Sequence, residues 1–112
     1  MTLAIAVFDD RVSVTLDNCT QLLLVAFKDN LVCHTRPIPI NGDFPLELVR
    51  RLKEEAVETL VCGAVSNSLR QLIETSGIKI VPWISGSVEQ VLQAFRTDTL
   101  ENLLMPGCCR RW

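Results

Sequence analysis

Two stretches decide the fold: Thr59-Leu-Val-Cys-Gly-Ala-Val-Ser-Asn-Ser-Leu69 and Gly77-Ile-Lys-Ile-Val-Pro-Trp-Ile-Ser-Gly-Ser-Val88. Each is a short apolar run that ends in small and polar residues and then opens a helical pattern. In the first, Ser66-Asn67 caps a helix whose apolar face is Leu69, Leu72 and Ile73, with Gly77 closing it as the residue beyond the C-cap. In the second, Ser87 starts a helix with Gln90 three residues on, a capping box, and Val88, Val91, Leu92 and Phe95 form its apolar face. Strands joined through helices run parallel, so this half of the chain predicts a parallel βαβα unit.

Working outward, residues 3–8 form an apolar run ending at Asp9-Asp10 and predict a buried strand. Residues 11–16 alternate apolar and polar and predict a half-buried strand, with Asp9-Asp10 as the turn between the two. Residues 21–27 predict a third strand, and Lys28-Asp-Asn30 turns it into residues 31–36. Pro37 and Pro39 exclude a central-strand role for the segment after residue 36. Asn41-Gly-Asp43 is turn chemistry, with Asp43 near a helix start and Pro45 in the first turn. Leu46, Val49, Leu52 and Ala56 recur at helical spacing, and Glu47 stands four before Arg51. The expected organisation is one α/β domain over residues 1–99, antiparallel strands first, flanked by three helices. Residues 100–112 form a cysteine-containing tail.

Bulk composition limits the function classes. The 112 residues are 48% hydrophobic and 21% charged, with only 5% aromatic, which suits a sheet covered by helices. The net charge of −2 and the lack of a basic stripe argue against a nucleic-acid partner. The longest mostly apolar run, residues 22–27, is too short to span a bilayer. The first residues have no positive region and meet acids at Asp9 and Asp10, so they read as a strand and not as a signal peptide. The five cysteines are Cys19, Cys33, Cys62, Cys108 and Cys109. An odd count without a signal peptide predicts a reducing cytoplasm and not a disulfide framework, and the lack of a CxxC pair leaves zinc-ribbon and thioredoxin readings without support.

Ligands of open α/β sheets gather at the carboxyl ends of parallel strands. The turns Cys62-Gly-Ala-Val-Ser-Asn67 and Ile84-Ser-Gly-Ser87 both open helices, so they fit well-capped helices and also an anion held by helix N–H groups. Neither is a GxGxxG or Walker loop. His34 is the only histidine, which excludes a multi-histidine metal site within one chain. Cys62, near a strand end, reads as a small buried hydrophobe, and Cys19 lies in a turn where its thiol could be exposed. Cys108-Cys109 stand beside Arg110-Arg111 after Pro106-Gly107. Cations beside a thiol favour the thiolate, and such thiolates suit an anionic sulfur-bearing cluster or a soft metal. A mobile tail that binds nothing is the other reading.

Three stretches, taken in order, carry a resemblance: Cys62-Gly-Ala-Val-Ser-Asn-Ser-Leu69, Gly77-Ile-Lys-Ile-Val-Pro82 and Ser85-Gly-Ser-Val-Glu-Gln-Val-Leu-Gln-Ala-Phe95. The chain resembles the dinitrogenase iron–molybdenum cofactor biosynthesis family, the NifX/NifB-type cluster-binding domains. Ile5-Ala-Val-Phe-Asp9, Arg11-Val-Ser13 and the ending Met105-Pro-Gly-Cys108 are also similar to it. The resemblance covers most of the chain and is best from Leu60 onward.

It implies a ribonuclease H-like α/β fold with a five-stranded mixed sheet. Asp9, Asp10 and Asp17 are the only acids in the first two strands and their turns, so nuclease activity is not implied. It implies a non-catalytic carrier for an iron–molybdenum or related metal–sulfur cluster containing molybdenum, iron or copper, working with a cofactor-assembly protein in the cytoplasm, as a nitrogenase accessory. Backbone N–H groups around Gly63, Ser66, Asn67, Gly86 and Ser87 would hold the anion. Cys19, Cys108 and Cys109 would supply thiolates, and Arg110 and Arg111 countercharge. Where the family often carries His or Phe-Gly, this chain has Thr15-Leu-Asp-Asn-Cys19. The alternative is a metal-free interaction or regulatory module docking through Trp112 and the arginines. A small redox or transferase enzyme has no base positioned by the sequence.

Overall fold

The computed structural model describes residues 1–41, 44–110 and 112. Its centre is β1 (Thr2–Phe8), and every other strand is placed relative to it. Strand β2 (Arg11–Val12) turns back on the end of β1, while β3 (Gln21–Lys28) pairs antiparallel along its length, with Ile5 opposite Leu23. Strand β4 (Leu31–Pro39) pairs antiparallel with β3. On the other side of β1 lie β5 (Thr59–Val61) and β6 (Lys79–Val81), both parallel, with Ile5 also level with Val61. The order is β4-β3-β1-β5-β6, with β2 off this path, so the sheet is mixed and has six strands among the described residues, one more than the five expected. The member off the path is the two-residue β2, the start of the strand expected over residues 11–16.

Both faces of β1 are covered, which explains why residues 3–8 read as continuously apolar. Ala4 and Ala6 face α1 (Pro45–Glu54) and α2 (Asn67–Thr75), together with Leu48, Leu52, Leu69 and Ile73. Leu3, Ile5 and Val7 face the other way, toward α3 (Val88–Arg96) and its Val91 and Ala94. A turn of 3₁₀ helix, Leu100–Leu103, packs on this second face through buried Leu100. Beyond it Leu104 bridges Ile84, and the Met105 N–H donates to the Trp83 carbonyl at 2.8 Å. No helix among the described residues is long and apolar enough to cross a membrane.

Local chemistry explains most element boundaries. Asp29 and Asn30 both sit at positive φ, the conformation of a tight hairpin turn, and join β3 to β4. Pro37 and Pro39 lie inside β4, which runs further than residue 36 because it is the edge strand, where a missing N–H is tolerated. Gly77, at φ +87°, closes α2. Ser87 and Gln90 form the capping box reciprocally, at 3.1 and 2.9 Å.

Three expectations are corrected. The strand over residues 11–16 stops after Val12, because the following backbone swings across to the segment beyond β5 in place of continuing along β1. The α1 core face is Leu48, Val49 and Leu52; Leu46 is exposed, and Ala56 lies past the helix end. Glu47 pairs with Arg50 and not Arg51, whose partner is Glu55. The helix-start role expected of Asp43 lies outside the described residues; Phe44 stands at the N-cap without a side-chain cap, and Pro45 is in the first turn.

Candidate functional site

Strands β5 and β6 end side by side, and the chain segments beyond them build one end of the molecule. The first is shaped by Gly63. A Cβ there would stand 2.4 Å from the Ser13 carbonyl oxygen and 2.5 Å from that of Val14. The close approach that requires glycine is therefore made by the chain's own backbone after β2. The crossing is fastened on both sides: the Ala64 N–H donates to the Val14 carbonyl and the Leu16 N–H to the Ala64 carbonyl, each at 2.8 Å. It also brings Asp17 to the start of α2, where its carboxylate accepts from the Ser66 N–H at 2.9 Å and the Ser66 hydroxyl at 2.7 Å. A helix N-terminus favours an anion, and here the nearest one is in the chain itself. Ser66 in turn caps Leu69.

The start of α3 is likewise engaged. The Ser87 N–H donates to Gln90, the Val88 N–H donates to the Asp10 carbonyl at 2.8 Å, and the Gly86 carbonyl accepts from Val12 at 2.9 Å. Gly86 sits at φ +125°, a conformation side chains rarely adopt. Thus Gly63, Gly86, Ser66 and Ser87 all serve internal contacts; Ser87 also borders two cavities beside α3 that no cysteine lines, whereas Asn67 opens onto the cavity that Cys108 lines.

That cavity is a cleft of about 290 Å³ lined by Val65, Asn67, Arg70, Trp83, Gly107 and Cys108. Asn67 and Arg70 lie one helical turn apart on α2, on one side of it. Arg70 is tied to Glu74 at 3.1 Å and is largely buried. Trp83 stands at the end of β6 with φ +66°, unusual for a residue with a side chain. Its N–H donates to the Gly63 carbonyl and its carbonyl accepts from Met105, both at 2.8 Å, so the two flanking segments hold it in that conformation. The cleft thus joins a cation, an amide, an indole wall and one thiol at the carboxyl end of parallel strands, where α/β sheets bind ligands.

The other cysteines are elsewhere. Cys19 is buried, not exposed; its thiol donates to the Gln21 carbonyl at 3.0 Å, and burial pushes it above the ordinary thiol value. Cys62 is also buried, and burial pushes its thiol up strongly, helped by neighbouring Cys19 and Asp17. Cys109 is exposed beside half-buried Cys108, and Cys33 is exposed on β4. Arg110 turns away to Glu101, at 3.1 Å, and lies 5.3 Å from the Trp112 ring. Arg111 lies outside the described residues. Among the described residues no group of three or more His, Cys, Asp and Glu side chains is placed to hold a metal ion.

Arg70 and Trp83 were missed by sequence reasoning. The spacing of Arg70 from Asn67 was a usable signal, as was the position of Trp83 between a strand end and a βα turn.

No protein-family model and no curated protein matches this chain. Solved structures do. A candidate dinitrogenase from Methanocaldococcus jannaschii superposes with a TM-score of 0.74 at 22% identity, covering 89% of this chain and 91% of that one. A candidate NifB protein from Thermotoga gives 0.67 at 18% identity over 88% and 89%. The apo form of the orange protein from Desulfovibrio gigas gives 0.69 at 14% identity over 99% and 96%. The chain has the fold of these proteins. The likeness extends over 88–99% of this chain and 89–96% of the three relatives.

Proposed function

We propose that the protein is a non-catalytic carrier for an anionic metal–sulfur cluster, acting in cofactor assembly. The observation that carries this reading is the cleft joining Cys108, Arg70, Asn67 and Trp83. Its donor set fits a preformed anion better than a bare ion. A naked divalent metal needs several ligands converging at fixed distances, whereas a cluster brings its own sulfur shell and asks for countercharge, hydrogen bonds and one or two anchoring thiolates. Arg70 supplies the charge, Asn67 the amide donors, Cys108 the inner thiolate and Cys109 an outer one. The names carried by the structural relatives, a candidate dinitrogenase and a candidate NifB protein, support cargo of the nitrogenase-cofactor type containing molybdenum and iron, and a molybdenum–copper sulfide shares the same chemistry. Delivery implies a receiving assembly protein. Five unbridged cysteines accord with work in a reducing compartment such as the cytoplasm.

The test is anaerobic reconstitution of the full chain with tetrathiomolybdate, alone and with iron or copper. The expected result is a sulfur-to-metal charge-transfer absorption that stays with the protein through gel filtration at a fixed metal-to-protein ratio. Metal that elutes separately from the protein in every mixture would refute the proposal.

A further inference from the structure

The wall of the cleft that carries Cys108 is a strap, residues 105–110, with a different fastening at each end. Upstream it is tied by backbone: the Met105 N–H to the Trp83 carbonyl at 2.8 Å, just after the Leu104–Ile84 bridge. Next comes a tight turn through Gly107 at φ +83°, which the Cys108 N–H closes onto the Met105 carbonyl at 3.0 Å. Downstream it is tied by side chains. Arg110 donates through Nη1 to Glu101 Oε2 at 3.1 Å and through Nε to the Trp112 carbonyl at 3.2 Å. The guanidinium lies 5.3 Å from the Trp112 ring, and Trp112 packs on the cluster of Val91, Ala94 and Leu100.

We infer that Glu101, Arg110 and Trp112 form a salt-sensitive latch that positions Cys108 in the cleft wall. The two fastenings respond differently to solvent. The upstream bonds extend the edge of the fold. The Glu101–Arg110 pair is about half exposed at both side chains, 43% and 47%, and is open to ionic screening. Such pairs are worth little individually, so the latch is poised to open and not locked. Glu101, Arg110 and Trp112 line no part of the cleft; they act through Cys108 and are positioning residues. For its biological use this inference rests on the proposed cluster carrier, because the latch sets how the thiol meets the cargo. Its test uses no metal.

The full-length, metal-free protein is alkylated briefly with iodoacetamide, and labelling of Cys108 relative to exposed Cys109 is read by tandem mass spectrometry. In Glu101→Gln the Cys108/Cys109 ratio should rise about two- to fivefold. In the wild-type protein the ratio should climb as salt is raised, and in Glu101→Gln it should be salt-independent. Arg110→Gln should raise the ratio at least as much and also lose its salt dependence, and the double variant Glu101→Gln, Arg110→Gln should react no faster than Arg110→Gln alone, because Glu101 acts only through Arg110; additive effects would mark merely structural roles. An unchanged ratio in Glu101→Gln, or a double variant more reactive than Arg110→Gln alone, would overturn the latch. Reconstitution with thiomolybdate is scored separately, so failure of the latch and failure of the carrier reading give different results.

Discussion

Replacing Gly63 with alanine tests the packing that builds the site. The added methyl would stand 2.4 Å from the Ser13 oxygen, 2.5 Å from the Val14 oxygen and 2.9 Å from the Val14 carbonyl carbon. All three are backbone atoms, so no rotamer change relieves the clash. Reaching even 3.0 Å requires the crossing strand to move by about 0.6 Å. That strand is pinned by Ser13 N–H to the Ala6 carbonyl, Ala64 N–H to the Val14 carbonyl and Leu16 N–H to the Ala64 carbonyl, each at 2.8 Å. Overpacking of this kind costs about 1–3 kcal/mol, and each weakened hydrogen bond adds about 1 kcal/mol. The expected loss is about 3–5 kcal/mol, a large part of the ~5–15 kcal/mol that holds a domain together. For a domain of this size it lowers Tm by at least about 12 °C. Urea titration and thermal melts followed by circular dichroism measure both. Gly77→Ala is the control: it meets nothing within 4 Å and carries only the strain of φ +87°, roughly 1–2 kcal/mol. A Gly63→Ala protein within about 1 kcal/mol of wild type, or one less destabilised than Gly77→Ala, would refute the reasoning.

Other consequences are as direct. Asp17→Ala removes the acceptor for both the Ser66 N–H and hydroxyl and should cost about 1–2 kcal/mol in urea unfolding; a neutral result would contradict the capping role. Ser87→Ala breaks the capping box at α3 and should cost about 1 kcal/mol by the same assay. Cys19 and Cys62 should resist alkylation at pH 8 in the folded protein, while Cys33 and Cys109 react; early labelling of the buried pair would show that their burial is wrong. Their raised proton affinity also gives stability a pH dependence. The folded thiols keep their protons where unfolded thiols, with the ordinary value of 9.0, release them, so the folded chain binds more protons above that pH. Stability should be intact below about pH 9 and fall as pH rises beyond it. The fall should disappear in a Cys19→Ala, Cys62→Ala double variant, measured against its own value at pH 7.

What the sequence made legible was chemistry that acts between near neighbours. The Asp29-Asn30 turn, the Ser87–Gln90 box and the closing Gly77 depend on residues within one turn of each other, and each stands where its pattern put it. Parallel pairing of β5 with β6 followed from the intervening helix. What escaped depends on residues far apart in the chain. The alternation of residues 11–16 predicts a longer strand, and nothing local tells Ser13 and Val14 to cross Gly63. That crossing also decides two site residues at once: it turns Gly63 into a packing requirement and delivers Asp17, 49 positions from Ser66, to the start of α2. Cys19 lies beside polar turn residues, yet its burial comes from the sheet above it. Periodicity likewise could not choose between Leu46 and Leu48, because both fit an amphipathic helix and only docking on the sheet selects the face. Of the proposed ligand set, Asn67 and Cys108 share the cleft, while Arg70 and Trp83 enter it through tertiary structure.

The most direct test of the central claim is a titration of tetrathiomolybdate into the anaerobic wild-type protein, Arg70→Gln and Cys108→Ser, with melting curves to establish that all three fold. If the cleft holds the anion, each substitution removes a charge-assisted contact or the anchoring thiolate and weakens binding about tenfold or more. Equal affinity across the three proteins would place the anion elsewhere and contradict the account.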